Sequence, residues 1–206
     1  MKTSIAILIT SLGCLAWFSA GGQPKIPAIP PGTNQSRVDV VKRYTPSGWM
    51  GDGTNGTKYV QINKVCKSNT RPNRQTCIKI TYSIGPSKWA GIYWLNEPDN
   101  WGDNPGDDFS SKGLRRVSFW ARGERGGEVV EFKAGGIPTM PATGKPYRDS
   151  FKETTGELTL ERNWKHYDIN IEGRNLSSVI GLFCWVANEP SNPNGLTFYL
   201  DDICYE

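Results

Sequence analysis

An all-β sandwich is the fold class that this 206-residue sequence predicts, and three observations carry the prediction. Short runs rich in Val, Ile, Tyr, Phe and Trp recur along the chain. Between them lie clusters of Gly, Pro, Asn and Asp, the residues that tight turns demand. No window of eleven or more residues keeps an apolar repeat of helical period. About ten short strands spaced in this way fit a sandwich or jelly roll. No internal repeat is visible.

The chain opens on an export signal over residues 1–20. Lys2 supplies the positive start, Ile5 to Phe18 is mostly apolar, and Phe18-Ser19-Ala20 ends in small residues that suit cleavage. Thr10, Ser11 and Gly13 interrupt the apolar run, which is too short for a membrane span. Gly13-Cys14 offers a second reading, the end of a lipobox, although Ser11 stands where a large aliphatic residue is usual. Residues 21–36 form a Pro/Gly-rich linker. Residues 37–206 then make one domain, long enough to bury a core.

Within that domain the expected strands run in order from Val38–Val41 and Lys58–Ile62 to Cys77–Tyr82, where Ile78, Ile80 and Tyr82 share a side. Residues 89–95, WAGIYWL, are apolar on both sides, so that strand is buried on both faces or lines a cleft. Residues 116–121, 129–133, 157–160, 165–171, 179–186 and 197–203 follow. Ser47 to Gly53 reads as a glycine-rich turn carrying Trp49 and Asp52. Asn96 to Asp108 is a polar loop with Asp99, Asp103, Asp107 and Asp108 around Trp101. Its oxygens suit a hard cation such as calcium, and Trp101 is placed to close over a ligand. A solvated acidic loop is the plain alternative.

The formal net charge is +4, with basic residues scattered among acidic ones, which argues against nucleic acid as a partner. Beyond Cys14 the chain keeps Cys66, Cys77, Cys184 and Cys204. An even number in an exported chain points to two disulfides, expected as Cys66–Cys77 and Cys184–Cys204, with buried free thiols as the alternative. Zinc is disfavoured by the absence of CxxC and by a single histidine, His166. Asn34, Asn55 and Asn175 head N-glycosylation motifs that matter only in a eukaryotic secretory route.

Strand alternation nominates a binding face. Val117, Phe119 and Ala121 take the core side of one strand, sending Trp120 and Arg122 outward. Val130, Phe132 and Ala134 do the same for Glu131 and Lys133. With Leu182, Cys184 and Val186 inward, Trp185 and Phe183 point outward. One outer face is then expected to hold Trp120 and Trp185 among Arg122, Glu131 and Lys133, with Trp101 at its edge. Flat rings flanked by charged hydrogen-bonding groups suit a sugar, whose apolar face stacks on the ring. Buried core tryptophans are the competing reading.

Catalysis finds little support. One histidine and no GxSxG argue against hydrolase triads. A glycosidase needs two flanking carboxyls. Glu97-Pro-Asp99-Asn-Trp-Gly102 begins like the E-x-D-x-x-E of jelly-roll glucanases but has Gly102 in the last position. Glu131 is the best isolated carboxylate.

Three stretches carry a resemblance. Residues 196–206, LTFYLDDICYE, look like the closing strand of carbohydrate-binding modules of the galactose-binding-like jelly-roll type. Residues 117–124, VSFWARGE, resemble an inner strand of the same modules, and Leu158-Thr-Leu160 with Trp164-Lys-His-Tyr167 is similar to their W-x-x-Y strand pair. The resemblance spans about residues 37–206. It implies a sandwich of eight to ten strands that holds a structural calcium ion and binds a polysaccharide or oligosaccharide on its concave face or edge loops; a non-catalytic, monomeric protein is the expectation. Asp201 or Asp202 of the last strand and Asp39 near the domain start are the ligands it implies. A small glycoside hydrolase or lyase, and a structural or adhesion domain that binds protein, are the alternatives.

Overall fold

A computed structural model describes residues 36–206, apart from Met140 and the side chain of Pro141. The signal, the linker, Cys14 and Asn34 lie outside the described residues.

Among the described residues eleven strands form two antiparallel sheets: β1 Val38–Asp39, β2 Thr45–Gly51, β3 Val60–Cys66, β4 Cys77–Tyr82, β5 Trp89–Leu95, β6 Arg116–Gly123, β7 Val129–Gly135, β8 Lys152–Thr159, β9 Lys165–Asn170, β10 Gly181–Asn188 and β11 Leu196–Tyr205. A six-stranded sheet has the order β3-β4-β11-β6-β9, with β1 added along β11, and a five-stranded sheet has the order β2-β5-β10-β7-β8. Only β3–β4 and β7–β8 are consecutive neighbours, so most connections cross from one sheet to the other, as a jelly roll requires.

The core between the sheets is aromatic. Phe119, Phe132, Phe183, Phe198, Trp94 and Trp185 are all 1% exposed or less, and their rings meet tilted, stacked or edge-on at 4.6 to 6.1 Å. Each such side chain contributes roughly 1.5–3 kcal/mol by leaving water.

Two local departures from the expected strands have plain causes. The first strand stops at Asp39, whose carboxylate accepts the Lys42 N–H at 3.0 Å and caps a one-turn helix, α1 Val40–Arg43. Of Ser47–Gly53, expected as a glycine-rich turn, residues up to Gly51 belong instead to β2, an edge strand against β5, and a 3-10 turn begins at Asp52. Gly48 is needed in that strand, because a Cβ would sit 2.8 Å from Tyr93 Cβ.

One disulfide joins Cys66 to Cys77, as expected. The expected Cys184–Cys204 bond does not form, and both are buried free thiols. Cys184 belongs to the five-stranded sheet and lies outside the main core beside Tyr93 and Ile180. Cys204 belongs to the other sheet, between Ile203 and Tyr205, which face the core. The two thiols therefore point away from each other on opposite sides of the sandwich.

Candidate functional site

The outer face of the five-stranded sheet follows from which residues the core takes. Ala90, Ile92 and Trp94 point into the core, so Trp89, Gly91, Tyr93 and Leu95 of β5 point out. Val130, Phe132 and Ala134 point in, leaving Glu131 and Lys133 outside, as expected. On β10 the expected phase is reversed. The β10–β5 register shifts between Gly181 and Phe183, and Leu182 and Phe183 both enter the core. Beyond that bulge Trp185 and Ala187 face in, and Cys184, Val186 and Asn188 face out. Taking Leu182 as the phase marker gives the wrong side for every later residue. Trp185 is thus a core residue, 0% exposed and edge-on to Phe198, and not part of a platform.

Cross-strand register assembles the face in rows. Trp89 lies beside Asn188. Gly91 lies between Met50 and Val186, Val186 beside Glu131, and Glu131 beside Glu157. In the next row come Tyr93, Cys184, Lys133 and Thr154. A Cβ at Gly91 would stand 2.8 Å from both Met50 Cε and the Trp185 carbonyl, so a low floor is left between Trp89 and the charged groups.

Trp89 is 39% exposed. Glu131 accepts from Lys133 Nζ at 2.8 Å and from the Thr154 hydroxyl at 2.6 Å. Burial works to raise the Glu131 pKa, but these two donors together hold it below the usual carboxylate range. Glu157 accepts from Asn188 Nδ2 at 3.1 Å and the Ser191 hydroxyl at 3.2 Å.

Two loops close the far end of this face. Trp101 stands edge-on to Tyr93 at 6.0 Å. Buried Asn100 organises its loop, taking the Gly102 and Asn104 N–H groups on Oδ1 and donating to Asn96 and to the Asn104 carbonyl. Tyr147 N–H donates to the Gly102 carbonyl at 3.1 Å, and Lys145 pairs with Asp103 at 2.7 Å, which ties residues 145–147 to that loop. A side chain at Gly102 would strike the Tyr147 carbonyl at 2.5 Å. Three of the loop's aspartates have separate partners: Asp103 has Lys145, Asp107 accepts from Tyr44 and Asp108 from the Ser110 N–H.

Trp120 and Arg122 lie on the opposite side of the sandwich. They belong to β6, in the six-stranded sheet, so the expected single face with Glu131 and Lys133 is divided between two. There the loop between Cys66 and Cys77 folds back over the aromatics. Arg71 Cζ stands 4.4 Å from the Trp120 ring centroid, and His166 lies against the same ring at 5.2 Å. Asn69 donates to the Tyr199 hydroxyl and accepts from Trp164 Nε1. Arg122 packs over Tyr199 and donates to the Gly123 carbonyl. Trp120 is half-buried, with Arg71 of its own chain stacked over the ring.

The implied calcium ligands are committed to cations already. Asp201 accepts from Arg71 and Arg74, and Asp202 from Arg37, Arg71 and Arg74. Asp39 caps α1 and pairs with Lys42. Among the described residues no group of three or more His, Cys, Asp or Glu is placed to hold a metal ion. A pair of carboxylates surrounded by three guanidiniums does not suit a divalent cation.

No protein-family model matches the chain, and no curated protein sequence matches it. Solved structures do. A family 30 carbohydrate-binding module superposes with a TM-score of 0.52 at 15% identity, covering 83% of this chain and 98% of that one. The family 11 module of the cellulosomal cellulase Lic26A-Cel5E of Clostridium thermocellum gives 0.52 at 12% identity over 84% and 95% of the two chains. The fold is the jelly-roll sandwich of carbohydrate-binding modules. The family 30 module of another Clostridium thermocellum cellulosomal cellulase agrees, at 0.51 and 16% identity over 83% and 97%. At these identities the shared property is the fold, and the side chains on each face are this chain's own.

Trp89, Glu157, Asn188 and Tyr147 complete the face and were not singled out by sequence reasoning. For Trp89 the signal was Gly91: a glycine inside an apolar strand marks a close approach and a floor.

Proposed function

We propose that this protein is an exported, non-catalytic carbohydrate-binding protein that holds a polysaccharide or oligosaccharide across the outer face of its five-stranded sheet. The observation that carries the reading is Trp89, a large ring left 39% exposed beside Asn188, on a sheet whose following rows present Glu157, Glu131 and Lys133. A pyranose stacks its apolar face on such a ring and directs hydroxyls to the carboxylates, amide and ammonium beside it. The carbohydrate-binding-module fold supports the same reading. The disulfide suits export, because such bonds persist in oxidising compartments. One chain builds the whole face, so a monomer suffices. Exposed Trp89 and Tyr147 sit among polar groups and not in a broad apolar patch, which favours a sugar over a protein partner.

The test is binding of the protein to a glycan array and to insoluble polysaccharides, with two variants. Trp89→Ala is expected to weaken binding at least about tenfold, or about 1.4 kcal/mol. Trp120→Ala is expected to leave it unchanged. Loss in the second variant and not in the first would move the site to the other sheet.

A hydrolase reading draws on one observation: Glu131 and Glu157 face each other across β7 and β8. A glycosidase pair needs one carboxyl kept protonated as the acid. Glu131 is held ionised by Lys133 and Thr154, and so suits binding better than proton donation. Turnover of any glycan by the wild type, abolished in Glu131→Gln, would overturn the non-catalytic reading.

A further inference from the structure

At the loop end of the same face lies a cleft of about 740 Å3, within the usual ~300–1,000 Å3 of small-ligand sites. Ile137, Tyr147, Arg148, Lys152, Asn175 and Ser177 are among the residues that line it. Ile137 also packs with Tyr93 and Trp101, so the cleft continues the sheet face.

The walls are fixed before any ligand arrives. The Asp149 carboxylate accepts backbone N–H groups from Ile137 and Gly181, and from Ile180 at 2.5 Å, which pins this segment to the start of β10. Gly135 permits the close packing on the other side, where a Cβ would meet the Phe151 carbonyl at 2.4 Å. Tyr147 is 39% exposed, and among the described residues no ring or cation pairs with its ring.

The charges around the cleft do not balance. Asp103 is neutralised by Lys145, Glu131 by Lys133 and Glu153 by Arg174. Asp149 is turned inward onto its three amides. Arg148 and Lys152 are both exposed and have no carboxylate partner within ion-pair distance among the described residues. Lys152 also influences Glu131, but that carboxylate already has its own lysine. At the opposite end of the face the situation is reversed, since Glu157 is held by neutral donors alone. A ligand lying along the face therefore meets a cationic end beside an exposed aromatic ring.

We infer that this cleft selects an anionic saccharide, one whose sugar stacks on Tyr147 while a carboxylate or sulfate group sits between Arg148 and Lys152. The inference rests on the glycan-binding reading and names its substrate class. Guanidinium and ammonium groups bind both kinds of anion, with Arg able to engage two oxygens at once.

The experiment is calorimetry of the protein with three soluble probes: a polyuronate, a sulfated galactan and a neutral galactan. One or both anionic probes are expected to bind at least about tenfold tighter than the neutral one, with the preference shrinking as salt rises. Which of the two anionic probes is preferred tells carboxylate from sulfate. In Arg148→Ala/Lys152→Ala the preference is expected to collapse to within about threefold while neutral-probe affinity is kept. Lys152→Glu, a single exposed change, is expected to reverse it. Equal binding of neutral and anionic probes by the wild type would overturn this inference and leave the glycan reading standing. A preference that survives both variants would overturn its assignment to this cleft. Failure to bind any glycan on the array or among these probes would overturn the underlying reading together with this one.

Discussion

Asp52 shows how one side chain with the look of a functional residue can be entirely occupied with the fold. It sits beside Trp49 in a glycine-rich stretch, yet it is 0% exposed. Its carboxylate accepts from the Tyr82 hydroxyl at 2.9 Å and from the Gly85 and Ser87 N–H groups at 2.9 and 2.7 Å. Burial pushes its pKa up, and these donors together bring it below the usual range. Asp52→Ala leaves three donors without an acceptor, and the expected cost is about 3 kcal/mol. Urea unfolding of the variant checks this: its denaturation midpoint should fall accordingly. A loss below about 1 kcal/mol would mean that water satisfies the donors instead.

At the level of elements, the loop between Cys66 and Cys77 acts as a strap over the six-stranded sheet. Its disulfide fixes the ends, and Asn69, Arg71 and Arg74 fasten its middle to Tyr199, Asp201 and Asp202. Replacing both cysteines by serine frees a loop of 11 residues' separation, which costs roughly 3 kcal/mol in the chain-entropy description. A denaturation midpoint reads that loss. Glycan affinity should be unchanged, since the strap covers the face opposite Trp89; a parallel fall in affinity would point to the strap side as the site. The strands themselves were legible, because alternation and turn residues are local properties. The inner faces of β4, β6 and β7 follow directly from Ile78, Val117 and Val130. The side faced by β10 was not legible, because a bulge that admits both Leu182 and Phe183 to the core is set by pairing with β5, about ninety residues earlier in the chain. The pairing of Cys184 with Cys204 failed for a related reason: adjacency in sequence order says nothing of which sheet each strand joins.

Across the whole molecule, the same limit explains the division of the expected site. Trp120 and Glu131 are both outward on their own strands, but the crossing connection between β6 and β7 puts their outward directions on opposite sides of the sandwich. The sandwich also sets two classes of carboxyl against each other in acid. Asp52, Glu131, Asp202 and Glu206 are each pushed up by burial, but hydrogen bonds, joined at Glu131, Asp202 and Glu206 by nearby cations, bring them below their ordinary values. Their contribution to stability is present above the unfolded-chain values of about 4 and is lost as pH falls through the folded ones. Asp149 runs the other way. Burial outweighs its three backbone donors and pushes it up to about 6. Between about pH 4 and that value the native chain keeps a proton that the unfolded chain has released, so stability falls as pH rises through this window and levels off above it. Asp149→Asn is expected to lower stability at every pH, because an amide offers one acceptor oxygen to three N–H groups, and to remove the decline between pH 4 and 6 while leaving the acid limb below pH 4 in place. Unfolding midpoints at half-unit steps of pH measure both effects. A variant that keeps the same decline would assign it to another group, whereas a profile flat between pH 4 and 6, above an intact acid limb, would tie that decline to the one carboxylate that anchors the cleft.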